Sequence, residues 1–225
     1  MNRAQMLLLD ILYPNRCDCC DNRIPYDQLL CEACINLLLQ QRVAYADWEQ
    51  QHPENPWLEG TVLFPYEDAA RTGVLEMKNG RRGFCVFSAK LLAELLAETN
   101  GISLVTWVPV TARRRRRQGY AHAEYLARCI AKELALPVRG DLLKEHAGTI
   151  RQHDLPAAER QKYAERFSGT DADLSDQHIL LIDDILTTGA TLRRCASLLL
   201  EMGAARVDIA AVCAGIHTDK TEKAP

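Results

Sequence analysis

The stretch Ile179–Thr191 reads ILLIDDILTTGAT, and its order of residue types decides the fold. Four branched apolar residues suit a strand buried in a parallel sheet. Asp183 and Asp184 follow at the strand's carboxyl end, where ligands of open α/β sheets bind. Thr187, Thr188, Gly189, Ala190 and Thr191 then lead into a helical pattern over residues 190–202, closed by Gly203. A loop that opens a helix offers free backbone N–H groups and a positive dipole end, which suit an anion. The threonine hydroxyls add donors, and Gly189 lets the backbone approach closely. At the other end, a carboxylate pair suits ribose hydroxyls or a metal such as Mg²⁺. Phosphate beside a diol describes a sugar phosphate. Two rival readings lack their partners. A Walker B strand needs a GxxxxGK[ST] loop, yet no glycine here precedes lysine, and GxGxxG is also absent.

Around this stretch the pattern alternates. Strand-like segments occur at 62–66, 103–108, 141–143, 179–182 and 206–215. Helical spacing occurs at 86–99, ended by Asn100-Gly101, and again at 119–135 and 190–202. Strands alternating with helices predict an α/β fold with a mostly parallel sheet flanked by helices. Residues 147–165 are polar and irregular, which predicts a long, mobile excursion. The expected organisation is an arm and metal module at 1–46 and a connection at 47–60. A main domain at 61–217 and a polar tail at 218–225 follow.

The 225 residues are 48% apolar and 25% charged, which excludes a disordered chain. A formal net charge of −3 gives no bulk reason to bind nucleic acid. The charge is uneven, however. Residues 1–60 hold four Lys/Arg against nine Asp/Glu, and the remainder holds 23 against 21. That remainder contains five consecutive arginines, Arg113 to Arg117. The N-terminal MLLLDILY is short and interrupted by Asp10, so it predicts a packing arm or short amphipathic helix. It fits neither a membrane span nor a cleaved leader. A reducing cytoplasm is the expected compartment, which argues against disulfides.

The segment CDCCDNRIPYDQLLCEAC pairs Cys17-x₂-Cys20 with Cys31-x₂-Cys34. Two such knuckles supply the four thiolates of a closed, structural Zn²⁺ site, without an open position for catalysis. Cys19 is a spare thiol that competes with the first knuckle. Cys85, Cys129, Cys195 and Cys213 sit among apolar neighbours and read as core residues. His122, His146 and His153 fall near candidate loops without a legible orienting partner, so none is assigned as a base.

The thirteen-residue stretch closely resembles the phosphoribosyl pyrophosphate (PRPP) motif of type I phosphoribosyltransferases. The resemblance implies that Asp183 and Asp184 hold the ribose hydroxyls and help to place Mg²⁺, and that residues 187–191 cradle the 5′-phosphate. It also implies that an earlier strand-to-helix loop, here Pro109 to Gln118, binds pyrophosphate, with Val110, Arg113 and Arg114 as candidates. Arginine suits that task through planar, bidentate phosphate contacts. A solvated basic loop or a contact with nucleic-acid phosphates are the other readings of the run, and Tyr120 is the only stacking aromatic nearby in sequence.

With its apolar arm and double CxxC module, the chain as a whole resembles the ComF family of competence-associated proteins. Tyr66, Leu75, Lys78 and Gly80 match one family segment, and Thr149, Gln152, Arg160 and Phe167 another. The family's Arg-Gly-Phe-Asn-Gln reads Gln118-Gly119-Tyr120-Ala121-His122 here, and its later Asn stands at best at Tyr163. The resemblance implies a small N-terminal zinc ribbon on a type I phosphoribosyltransferase-like domain. It implies a role in natural transformation, in handling incoming single-stranded DNA together with competence proteins at inner-membrane uptake machinery. An active phosphoribosyltransferase acting on a nucleobase or other amine, and a PRPP sensor without turnover, are the alternatives.

Overall fold

A computed structural model describes residues 14–49, 55–57, 59–118, 121–146 and 166–215. The N-terminal arm, the excursion at 147–165, His153, Tyr120 and the tail lie outside the described residues. Two short helices come first, α1 (Glu32–Gln40) and α2 (Tyr45–Glu49). The main domain follows as β1 (Gly60–Pro65), α3 (Asp68–Lys78), α4 (Gly83–Leu96), β2 (Leu104–Trp107), α5 (Ala112–Gln118), α6 (His122–Glu133), β3 (Leu143–Glu145), β4 (Phe167–Gly169), β5 (His178–Leu186), α7 (Ala190–Glu201) and β6 (Arg206–Ala214).

The main sheet is parallel throughout, in the order β1-β6-β5-β2. Its strands are buried on both faces, which explains their nearly unbroken apolar sequences. Alternation sends successive side chains to opposite sides. Leu180, Ile182, Ala210 and Val212 face α3, α4 and α6, whereas Ile179, Leu181, Ile209 and Ala211 face α7. A two-stranded antiparallel ribbon, β3 with β4, stands beside the sheet.

Several element boundaries differ from the sequence expectation, each for a local reason. The central strand runs on to Leu186 rather than stopping at Ile182, because β6 continues to pair with it at Asp183, Ile185 and Leu186. Both aspartates are therefore strand residues. The arginine run is helical rather than a loop, as long unbranched side chains without an intervening Gly or Pro allow. The third strand begins at Leu143, later than the apolar residues suggested. Helix α3 was not marked by the spacing of its apolar residues alone. It carries Asp68 in its first turn and Lys78 in its last, as the helix dipole favours, and Gly80 follows at φ 99°. Helix α2 carries into the start of the polar connection expected at 47–60, and its Trp48 is fully buried.

The cysteine-rich segment packs against the main domain. Asp18, buried at 4% exposure, accepts the Phe84 amide at 2.7 Å and an Arg81 contact at 2.8 Å. Arg81 also donates to the Arg16 carbonyl and pairs with Asp21. Gly83 allows this docking, since a Cβ there would meet the Leu29 carbonyl oxygen at 2.5 Å.

Candidate functional site

Parallel pairing places two loops side by side. Trp107 pairs with Ile182, and the Val108 amide donates to the Ile182 carbonyl at 2.9 Å. The turn after β2, residues 108–111, thus begins level with the acid pair of β5. Gly189 caps α7 in the left-handed region at φ 72°, where a side chain would be strained. Residues 187–189 thereby bend back over the end of the sheet, and Thr187 and Thr188 are exposed.

Adjacent positions on a strand point to opposite faces, and the two aspartates acquire different electrostatics as a result. Asp184 lies on the α3 side, where Lys78 Nζ reaches its Oδ2 at 2.9 Å. Burial works to raise the Asp184 pKa, but the Lys78 charge and hydrogen bond outweigh it and hold the carboxyl below its ordinary value. Asp183 accepts the Asp184 amide at 2.8 Å on Oδ1. Burial, then the adjacent Asp184 charge, push its carboxyl well above the usual range. One carboxylate is thus held ionised while its neighbour retains a proton more readily. Such a pair accepts and donates hydrogen bonds at once, as the two hydroxyls of a diol require.

At the second loop, the Thr111 amide donates to Glu145, whose side chain is 1% exposed. The other Glu145 oxygen pairs with Arg166. A buried carboxylate therefore holds one of the amides expected to meet pyrophosphate, and a cation lies beside it. Val110 is half-buried and Arg113 exposed, and the Arg114 side chain is not described. Arg115 and Arg116 are also exposed, and Arg115 pairs with Glu124 at 3.0 Å. His122 is buried and lies close enough to Asp184 to add a minor lowering of that carboxyl's pKa. His146 bonds to the Ser168 hydroxyl at 2.8 Å.

Sequence reasoning assigns no role to Lys78, which pairs with Asp184, to Trp48 and Arg193, which hold Thr187 and Thr188, or to Glu145 and Arg166, which stand behind Thr111. Lys78 carried a partial signal, as the lysine of the segment that resembles the ComF family. Trp48, Glu145 and Arg166 make contacts between distant parts of the chain that no local pattern records, and so does Arg193 in its bond to Asn55.

At the N-terminus, the Sγ atoms of Cys17, Cys20, Cys31 and Cys34 all lie within 4.8 Å of one another. The Cys20 and Cys31 sulfurs are 3.6 Å apart. A tetrahedron of ~2.3 Å metal–sulfur bonds needs sulfurs about 3.8 Å apart, so the four can hold a metal ion. The first knuckle turns at residues 18–20, closed by the Asp21 amide on the Cys17 carbonyl, and the second opens α1. At Cys17, burial favours the thiol, but the amides of Cys31, Cys19 and Cys20 outweigh it and bring the pKa down to about 7. Cys19 is buried outside the cluster, and burial followed by the charges of Cys17 and Asp18 drives its thiol up. Cys85, Cys195 and Cys213 are buried in the core and Cys129 is half-buried. No helix among the described residues is long and apolar enough to cross a membrane.

The sequence model of the family described as "Phosphoribosyl transferase domain" matches residues 121–225. "DNA utilization protein YhgH" of Escherichia coli (strain K12) is 26% identical over 204 residues, covering 88% of this chain and 89% of the relative. "Competence protein F" of Haemophilus influenzae is 28% identical over 105 residues, covering 45% of this chain and 46% of the relative. Among solved structures, the purine phosphoribosyltransferase from Pyrococcus horikoshii is 16% identical. It covers 70% of this chain and 78% of that one, at a TM-score of 0.37.

Proposed function

We propose that this chain is a ComF-like protein of the phosphoribosyltransferase fold, that it binds PRPP with Mg²⁺ and that it serves the handling of single-stranded DNA in natural transformation. The observation that carries the ligand is the placement of Asp183 and Asp184 at the end of β5, one turn before the Gly189 cap of α7. The acid pair takes the ribose hydroxyls. Residues Thr187, Thr188, Gly189, Ala190 and Thr191 take the 5′-phosphate. Val110, Arg113 and Arg114 border the pyrophosphate, and Mg²⁺ neutralises its charge. The DNA role rests on the names of the relatives and on the exposed Arg113, Arg115 and Arg116 of α5. Zn²⁺ is the metal we assign to Cys17, Cys20, Cys31 and Cys34, since four thiolates in a tetrahedral cluster suit it best. The protein works in the cytoplasm, with peripheral attachment to the inner-membrane uptake machinery and its competence proteins.

Calorimetry with PRPP and Mg²⁺ tests the ligand, using Asp183→Asn with Asp184→Asn as the control. Heat from the wild type that equals the control sinks the reading. Electrophoretic mobility of a single-stranded oligonucleotide at low salt tests the DNA role, because counterion release favours binding there. An unshifted band removes it.

Phosphoribosyl transfer to a nucleobase or other amine is the second reading. The ion-paired, ionised Asp184 beside a proton-retaining Asp183 favours it, because the site keeps negative charge where a ribose cation develops. Pyrophosphate release in the presence of candidate acceptors tests it. Binding without release identifies a PRPP sensor instead.

A further inference from the structure

The loop assigned to the 5′-phosphate is held from behind by one residue far from it in sequence and one on the helix that it opens. Trp48, fully buried, donates its indole N–H to the Thr187 carbonyl at 2.7 Å. Arg193, one turn into α7, donates to the Thr188 carbonyl. A second guanidinium nitrogen of Arg193 donates to Asn55 Oδ1 at 3.2 Å, so the connecting segment holds the arginine in turn. The indole is fixed by its own neighbours. Its ring lies 5.8 Å from Tyr45 and 6.2 Å from Trp57, and the Trp57 indole bonds to the Tyr45 hydroxyl.

Peptide geometry gives these two contacts a consequence. A trans peptide is planar, with its carbonyl and N–H pointing in opposite directions, and no described peptide is cis. The Thr187 carbonyl shares its plane with the Thr188 N–H, and the Thr188 carbonyl shares its plane with the Gly189 N–H. Drawing both oxygens back onto Trp48 and Arg193 turns both amides the other way, into the concave side of the loop. Successive amides turned to one side form an anion-binding hollow. The Trp48 ring also stands 2.8 Å from where a Gly189 Cβ would lie, so the loop and the indole fit only with glycine there.

We propose that Trp48 and Arg193 are positioning residues that aim the Thr188 and Gly189 amides at the 5′-phosphate of a ribose 5-phosphate group. The inference rests on the PRPP reading of the site and extends it to the connecting segment. Tyr45, Trp48, Asn55 and Trp57 are then part of the ligand machinery, acting from behind the loop rather than on the ligand.

The test is calorimetric titration of the full chain with ribose 5-phosphate, with PRPP plus Mg²⁺, and with pyrophosphate plus Mg²⁺. Trp48→Phe keeps an aromatic ring and loses the N–H donor, and Arg193→Met loses the guanidinium. Each weakens ribose 5-phosphate and PRPP about tenfold, the scale of one lost hydrogen bond. Pyrophosphate alone, which meets the other loop, stays within about twofold, a change too small for a lost hydrogen bond. Equal weakening of all three ligands, or no change in any, overturns the proposal. Thermal melts of both variants accompany the titrations. Should Trp48→Phe fail to fold, Arg193→Met carries the comparison. A wild type that binds neither sugar phosphate sinks the site reading and this proposal together, whereas a binding wild type with unaffected variants sinks only the proposal.

Discussion

Lys78 Nζ lies 2.9 Å from Asp184 Oδ2, so a lysine at the end of α3 sets the charge state of an aspartate at the end of β5. Asp183, the next residue, faces away from that lysine and answers to burial instead. Two neighbouring carboxylates of one chemical type therefore make opposite contributions to the fold.

The stability of the aspartate variants should differ in sign. Asp183 has a raised folded pKa, so its contribution is fully present below the unfolded value of about 3.9 and is lost as pH rises through the folded value. Asp183→Asn is expected to raise the melting temperature at pH 8 and to leave it unchanged below about pH 4. Asp184→Asn strips Lys78 of its carboxylate and is expected to lower the melting temperature at pH 8. Thermal melts across that range check both. Equal signs at pH 8 contradict the electrostatic assignment.

Removing the lysine gives an independent measure of the same pair. Lys78→Met leaves the Asp184 charge half-buried, and it should lower unfolding stability by about 1–3 kcal/mol at pH 8. The depressed Asp184 pKa contributes stability above the unfolded value of about 3.9, lost as pH falls through the folded value. The deficit of the variant should therefore shrink in acid. Urea melts at pH 8 and below pH 4 measure it.

The metal site makes a prediction about the odd thiol. Cys19 lies outside the cluster of sulfurs and is held as a thiol, so Cys19→Ser should retain one zinc per chain. Cys31→Ser should lose it, and the melting temperature should fall with it, because the module is tied to α4 through Asp18. Elemental analysis of the purified variants decides the point. Zinc lost from Cys19→Ser would move the ligand set.

Arg113 and Arg116 offer the cleanest probe of DNA contact, since neither is needed for the Glu124 pair that engages Arg115. Replacing both with alanine should weaken single-stranded DNA binding and reduce the slope of log affinity against log salt by about 1.4, or ~0.7 for each phosphate released. PRPP affinity measured alongside separates a DNA contact from a pyrophosphate contact.

Local patterns made much of the architecture legible. The apolar run before Asp183, the glycine and threonines after it and the paired CxxC knuckles are short-range signals, and each lies on the element that its pattern implied. Amphipathic spacing also anticipated α4, α6 and α7 to within a few residues. What the sequence withheld is of another kind. That Asp183 and Asp184 differ in proton affinity depends on which sheet face carries Lys78. That Trp48 reaches Thr187 depends on the path of a polar connection, which composition reads as a linker. The arginine run gives no apolar periodicity from which its helical state could be read. Pairing between distant segments is set by the packed fold, and it leaves little trace in any one window of sequence.

The fit at Gly83 and Asp18 bears on how this chain can be taken apart. A backbone carbonyl fills the space above one, and the carboxylate of the other lies between Cys17 and Cys20 in sequence and seats on the first turn of α4. The cysteine module is thus keyed to its host. Transplanted onto an unrelated domain, it would bring a charged, buried lug with nothing to receive it, and the host left behind would expose the matching socket. Chimaeras built by swapping modules between relatives should therefore work only when the exchange carries the residue 81–84 turn along with the cysteines.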